Sequence, residues 1–163
     1  MTEQPLRIVL CTRGGLHGAL VLDHLLASPR AKVVGIVLSS RVLKPGDGFL
    51  RGAVDFARRC GLAYTLYLWC ATSLADRLLC HAPIAPVARQ AKRQGIRMLV
   101  TRRVNDAAGT RFVAEAVPDL LVSAFFNQRI DEVVTELPRY GAVNIHPSPL
   151  PDFRGVDPEI WQR

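Results

Sequence analysis

The sequence lacks the cysteine spacings of a disulfide framework or a zinc site. Its four cysteines form no Cys-x-x-Cys pair and stand at positions 11, 60, 70 and 80. We therefore expect no metal site, and we expect thiols that pack as small core side chains in a reducing cytoplasm. Residues 1–5 carry no basic region leading into an apolar stretch, so no signal peptide is predicted.

A hydrophobic run long enough to cross a bilayer is also missing. The uncharged segment 62–75 has fourteen residues. As a helix it would span about 21 Å, short of the roughly 30 Å of a bilayer core, so no transmembrane helix is predicted. Because the segment is apolar nearly all round at helical spacing, we favour its burial against a neighbouring element or a subunit partner over contact with a membrane surface.

Basic residues outnumber acidic ones without forming a long run. The 21 Lys and Arg against 14 Asp and Glu give a net charge of +7. This excess favours an anionic partner such as a nucleotide sugar, a phosphate, RNA or a membrane surface, and it does not choose among them. Scattered basic residues are also typical of solvated faces. A chain of 163 residues, 49% of them hydrophobic, fits one globular domain.

Apolar runs alternate with segments of helical periodicity. The predicted strands are 6–10, 31–38, 96–100, 120–124 and a fifth at 143–145, and the predicted helices are 16–26, 49–60, 107–117 and 131–137. Asn105-Asp106 is a candidate cap for the third of these helices. This order predicts an α/β fold, a Rossmann-like parallel sheet covered by helices on both faces. Ligands of such folds bind at the carboxyl ends of the strands.

The segment from Asn144 to Ser148 has the side chains of a catalytic site. Histidine takes up and releases protons near neutral pH, and an asparagine amide donates hydrogen bonds to a developing oxyanion. Asn144 and His146 are two residues apart, so in a strand they would lie on one face. The alternative is a structural histidine after a strand, with Pro147 as ordinary loop punctuation.

The run 141–155, Gly-Ala-Val-Asn-Ile-His-Pro-Ser-Pro-Leu-Pro-Asp-Phe-Arg-Gly, resembles the signature of the folate-dependent formyltransferase family. The resemblance implies transfer of a formyl group from 10-formyltetrahydrofolate, the co-substrate, to a primary amine. Asn144 and protonated His146 would stabilise the tetrahedral oxyanion, and Ser148 would brace the loop. The turn at 153–158 is most similar to that of methionyl-tRNA and sugar-nucleotide formyltransferases, which implies an amine carried by tRNA or by a nucleotide.

A second part of the sequence, 118–130, resembles the family's folate-binding strand and the backbone that follows it. Phe126, Gln128 and Ile130 match positions that contact the pterin ring, largely through backbone groups. The alternative interpretation of this segment is the start of a helix.

The first loop, 14–18, is glycine-rich and precedes a predicted helix, which favours an anion at the free backbone donors. Resemblance to the family implies a substrate phosphate near Gly14 and Gly15. The loop lacks the full Gly-x-Gly-x-x-Gly pattern, so a nicotinamide cofactor is not expected. Two glycines in a tight turn between strand and helix are the alternative.

The resemblance also implies a third catalytic residue, an aspartate on a later loop. Neither Asp152 nor Asp157 matches it, and the sequence stops at Arg163. We therefore expect residues 1–163 to be a catalytic domain truncated at its carboxyl end and inactive as given. We also expect a helical insertion at about 62–94 that mediates self-association. A non-catalytic folate-fold or assembly module, and a formyltetrahydrofolate hydrolase, remain as alternatives.

Overall fold

The computed structural model describes residues 4–40, 54, 57–58, 61–70 and 84–146. Among these residues the sheet lies at the centre of the fold and is entirely parallel. Its order is β3-β2-β1-β4-β5, and every neighbouring pair is parallel. The chain therefore builds outward from β1 on one side and then crosses to the other side at β4. The strands are β1 (Leu6–Thr12), β2 (Ala31–Ser39), β3 (Met98–Thr101), β4 (Leu120–Ala124) and β5 (Ala142–Ile145).

Helices cover both faces of this sheet, as the alternating sequence pattern predicts. In β1, Ile8 and Leu10 belong to a buried cluster on one face of the sheet, together with residues of the first and third helices given below. Val9 and Cys11 belong to a cluster on the other face, together with residues of the fourth and fifth helices. Burial on both faces is typical of a central parallel strand. The helices are α1 (Gly15–Ala27), α2 (Leu62–Trp69), α3 (Val87–Arg93), α4 (Ala107–Ala116) and α5 (Glu132–Thr135).

Helix α4 is capped at both ends by side chains. The Asp106 carboxylate accepts a hydrogen bond from Gly109 N at 2.8 Å, which confirms the predicted amino-terminal cap. The guanidinium of Arg7 donates to Ala116 O at 2.7 Å and to Val117 O at 2.9 Å at the other end. A Cβ at Gly109 would overlap the carbonyl oxygen of Val104, so this glycine lets α4 approach the loop before it.

Several predicted bounds differ from the structure by one or two residues, and those of β3 and α5 are examples. Strand β3 begins at Met98 and not at residue 96, because Ile96 N donates to Ala91 O at 2.9 Å and closes the end of α3. Helix α5 is one turn long and shorter than the predicted 131–137. The predicted helix 49–60 lies largely outside the described residues, as do positions 71–75 of the uncharged segment.

The two helices inside the segment 62–94 differ in their surroundings. Leu62, Leu66 and Tyr67 of α2 are exposed. In α3, by contrast, Val87 and Ala91 are buried in the cluster that includes residues of α1. One face of α3 is therefore part of the core. Of the helices in the described residues, none is long and apolar enough to cross a membrane.

Candidate active site

A cavity of about 450 Å³ opens at the carboxyl ends of β4 and β5. Its walls bring together five residues that the sequence predicts for the site, Phe126, Gln128, Ile130, Asn144 and His146. The cavity has the size of ordinary small-molecule sites, and it lies where ligands bind in parallel sheets. Residues of two separate sequence motifs therefore line one cavity.

Asn144 and His146 reach this cavity from the end of β5. Asn144 is the penultimate strand residue and His146 is the first residue after the strand. Asn144 is the register partner of Ser123 in β4. Ser123 lies two residues after the buried Leu121, so the side chains of Leu121, Ser123 and Asn144 are on the same face of the sheet. Asn144 and His146 thus both line the cavity, and their catalytic roles stay a prediction. Ser148 lies outside the described residues.

Phe125 and Phe126 pack on opposite sides of the sheet after β4. Phe126, like Ile130, packs against the cluster beneath α4 and α5, while Phe125 packs against the cluster on the α1 side. Phe125 has a φ of 51°, and its carbonyl accepts a hydrogen bond from Arg13 N at 3.0 Å. This left-handed residue turns the chain out of the strand, so that the segment 126–130 lines the cavity.

The side chain of Gln128 is buried and fully engaged by the protein. Its Oε1 accepts a hydrogen bond from Val104 N at 2.8 Å, and its Nε2 donates to Ser39 Oγ at 2.8 Å and to Thr101 O at 3.1 Å. An amide with these three bonds holds the loop in place. Gln128 therefore offers the cavity chiefly its backbone.

Asn105 supports the same loop from the start of α4. Its Nδ2 donates to Arg129 O at 3.0 Å, and its Oδ1 accepts from Asp131 N at 3.0 Å. Ser39 Oγ, at the end of β2, donates to Asn127 Oδ1 at 2.6 Å. The hydrogen bonds of Ser39, Asn105 and Gln128 could not be predicted from the sequence, because their partners are 24 to 89 residues apart. Polar residues at the ends of buried strands were the available signal.

Gly14 and Gly15 lie outside the lining of this cavity, at the end of β1. Both have positive φ, 88° and 67°, and Gly14 N donates to Thr12 Oγ1 at 3.2 Å. Within the described residues no side chain caps the first turn of α1. His17 in that turn stacks on Phe125 with ring centroids 4.6 Å apart. Two strand spacings, roughly 10 Å, separate β1 from β5.

The formyl transferase family model matches residues 74–162, which is more than half of the chain and includes the walls of the cavity. The chain belongs to the formyl transferase family. The family match begins inside the segment 62–94 that the sequence predicts as an insertion, and the boundaries of such an insertion stay a prediction.

Curated members of the formyl transferase family match only part of this chain. The methionyl-tRNA formyltransferase of Bacillus licheniformis is 38% identical over 73 residues, which cover 45% of this chain and 23% of the relative. That of Geobacillus thermodenitrificans is 35% identical over 80 residues, or 47% and 25% of the two chains. The match thus spans about a quarter of the length of these relatives.

A solved structure shares the fold. Glycinamide ribonucleotide transformylase 1 from Symbiobacterium toebii superposes with a TM-score of 0.52 over 97% of this chain and 59% of that chain. The sequences are 16% identical, so this likeness establishes the Rossmann-like α/β architecture and no more.

Proposed function

We propose that this protein transfers the formyl group of 10-formyltetrahydrofolate to a primary amine. The observation that carries the proposal is the single cavity in which the segment 126–130 faces Asn144 and His146. Membership of the formyl transferase family supports the same reaction class.

The walls of the cavity suit a flat heterocycle that carries a reactive carbonyl. Phe126, Ile130 and Val143 supply apolar surface, and the backbone of the loop at Gln128 supplies polar groups beside it. Asn144 and His146 supply a hydrogen-bond donor and a titratable group on the β5 side. A pterin would lie against the loop, with its formyl group toward β5.

The proposed reaction begins when the amine nitrogen attacks the formyl carbon. The Nδ2 donors of Asn144 and the protonated ring of His146 stabilise the negative charge that develops on the formyl oxygen. As the tetrahedral intermediate collapses, the bond from the formyl carbon to folate N10 breaks. One proton leaves the amine nitrogen and one arrives at N10, so the products are a formamide and tetrahydrofolate.

Methionyl-tRNA is the acceptor that the relatives support, since the two curated matches above are methionyl-tRNA formyltransferases. The net charge of +7 suits a tRNA or a nucleotide-linked amine. The first turn of α1, with Gly14 and Gly15 at its start, would hold a substrate phosphate roughly two strand spacings from Asn144. An amino-sugar nucleotide is the competing acceptor.

Calorimetric titration with 10-formyltetrahydrofolate tests the binding half of the proposal. We expect saturable binding that weakens at least ten-fold in Phe126→Ala, because the ring loses its apolar wall. His24→Ala changes an exposed histidine of α1 and is the control variant, which should leave the affinity unchanged. Absence of binding, or a loss of affinity in His24→Ala as large as that in Phe126→Ala, would refute the proposal.

The acceptor is tested by following formyl transfer to methionyl-tRNA and to an amino-sugar nucleotide in parallel. Residues 1–163 should form neither product if they are inactive, as we expect from the sequence. Formyl-methionyl-tRNA that is lost in His146→Ala and retained in His24→Ala would overturn that expectation and identify the acceptor. Formate release without any amine would instead indicate the hydrolase, and absence of folate binding would count against the formyltransferase.

Self-association through α2 is a further part of the proposal, with a second copy of the chain as the partner. The exposed Leu62, Leu66 and Tyr67 motivate it. Deletion of 62–94 is a poor test, because α3 belongs to the core. We expect Leu66→Glu to reduce the mass measured by light scattering, and an unchanged mass would contradict this interface.

A cytoplasmic location of the protein also stays a prediction.

A further inference from the structure

Ser123 places a hydroxyl beside the amide of Asn144 on the cavity wall. The two residues are register partners in the parallel pair β4 and β5, and both line the cavity. Neighbouring strands are about 4.8 Å apart, so side chains at paired positions on one face are adjacent. Ser123 is half-buried and Asn144 is exposed to the cavity.

Within the residues that the structure describes, the side chains of Ser123 and Asn144 form no hydrogen bond. The other polar groups nearby are engaged, since Thr135 Oγ1 donates to Glu132 O and the Gln128 amide has three partners. A hydroxyl in a strand that is otherwise Leu-Leu-Val-Ala contributes no apolar surface to the core. Its hydroxyl is available to a group that enters the cavity or to a neighbouring side chain.

An asparagine that must stabilise an oxyanion has an orientation problem. Its amide presents a donor on one side and an acceptor on the other, and only the donor side is useful toward negative charge. A hydrogen bond donated to Oδ1 fixes which side faces the ligand. Ser123 is the register partner of Asn144, and its hydroxyl can donate this hydrogen bond.

We propose that Ser123 is a positioning residue whose hydroxyl donates to Oδ1 of Asn144 and turns the Nδ2 donors toward the formyl oxygen. Because the two residues are register partners on neighbouring strands, the change that this contact requires is a rotation of their side chains among rotamers. This inference rests on the proposed function, because it assigns a purpose to the orientation of the Asn144 amide.

The discriminating measurement is the ratio of affinities for 10-formyltetrahydrofolate and tetrahydrofolate. The two folates differ by the formyl group that Asn144 would contact. Ser123→Ala should lower the affinity for the formylated folate about three- to ten-fold, as expected for one hydrogen bond, and leave that for tetrahydrofolate unchanged. A variant that merely loosened the fold would weaken both equally.

Three further variants complete the test. Ser123→Thr keeps the hydroxyl and should keep the ratio, while Ser28→Ala, the same substitution at the distant end of α1, should change nothing. In an Asn144→Ala background, Ser123→Ala should have no additional effect on the ratio, because the group it orients is gone.

The results distinguish failure of the positioning role of Ser123 from failure of the proposed function. If neither folate binds, or if Asn144→Ala leaves the ratio unchanged, the proposed function fails and the inference fails with it. If Asn144→Ala lowers the ratio and Ser123→Ala does not, only the positioning role is overturned. Additive losses in the double variant would also overturn it, since they indicate that Ser123 contacts the folate directly.

Discussion

The backbone N–H of Val104 donates a hydrogen bond of 2.8 Å to Oε1 of Gln128, and both residues are buried. Val104 precedes α4, whereas Gln128 belongs to the wall of the cavity. The bond therefore ties the loop that lines the cavity to the helix layer that covers the sheet. With the bonds from Gln128 to Ser39 and Thr101, it makes the shape of the cavity depend on the ends of β2 and β3.

We predict that Gln128→Ala lowers the free energy of unfolding by about 2 to 3 kcal/mol, because it leaves the buried Val104 N–H and Thr101 carbonyl without this partner. Folate affinity should fall as well, since the backbone at 126–130 is no longer held. Urea denaturation and calorimetric titration measure the two effects. Gln94→Ala, an exposed glutamine after α3, is the control, and an equal loss of stability there would contradict the account.

We predict that Val117→Gly stabilises the protein by about 1 kcal/mol. Val117 ends α4 with a φ of 44°, a left-handed conformation that is costly for a β-branched residue and free of strain for glycine. It is 69% exposed, so little burial is lost. Val133→Gly, at 67% exposure inside α5, should destabilise because glycine is a poor helix former. Thermal unfolding that gave both variants the same sign would refute this explanation.

Burial raises the pKa of the Cys11 thiol from its ordinary value of 9.0 to about 12. Below pH 9.0 the thiol is protonated in both the folded and the unfolded chain. Between pH 9.0 and about 12 the unfolded chain releases the proton and the folded chain retains it. The free energy of unfolding should therefore fall as the pH rises through this window, by about 1.4 kcal/mol per pH unit from this group.

Denaturation at pH 8 and pH 10.5 in the parent chain and in Cys11→Ala isolates that contribution. We expect a smaller loss of stability on alkalinisation in the variant, and parallel losses would contradict it. Alkylation at pH 8 should modify Cys70, which is exposed, and should modify Cys11 only after unfolding.

Much of the fold could be predicted because its elements are locally encoded. The apolar run of β4 gave its bounds, Leu120–Ala124, and the polar residue Asp106 gave the start of α4. The start of β3 could not be predicted, since the hydrogen bond from Ile96 N to Ala91 O delays the strand by two residues. Whether a residue is hydrogen-bonded at such a boundary depends on three-dimensional contacts.

The site was predictable where a motif lies within a few residues. Asn144 and His146 could be placed on one face because strand periodicity fixes side-chain direction over two residues. The role of Gln128 could not be predicted, because its partners follow β2 and β3 in space and not in sequence. The sequence predicted Gln128 as a folate contact through largely backbone groups, and the structure shows its side chain engaged as a brace.

We propose that the segment 126–130, Asn144 and His146 together form one folate site. Titration of the ¹⁵N-labelled chain with 10-formyltetrahydrofolate, followed by backbone and side-chain amide shifts, is the decisive experiment. We expect saturable shifts that concentrate at Phe126, Ile130, Asn144 and His146 and share one dissociation constant. Shifts confined to other parts of the chain, or two sets with different dissociation constants, would contradict it.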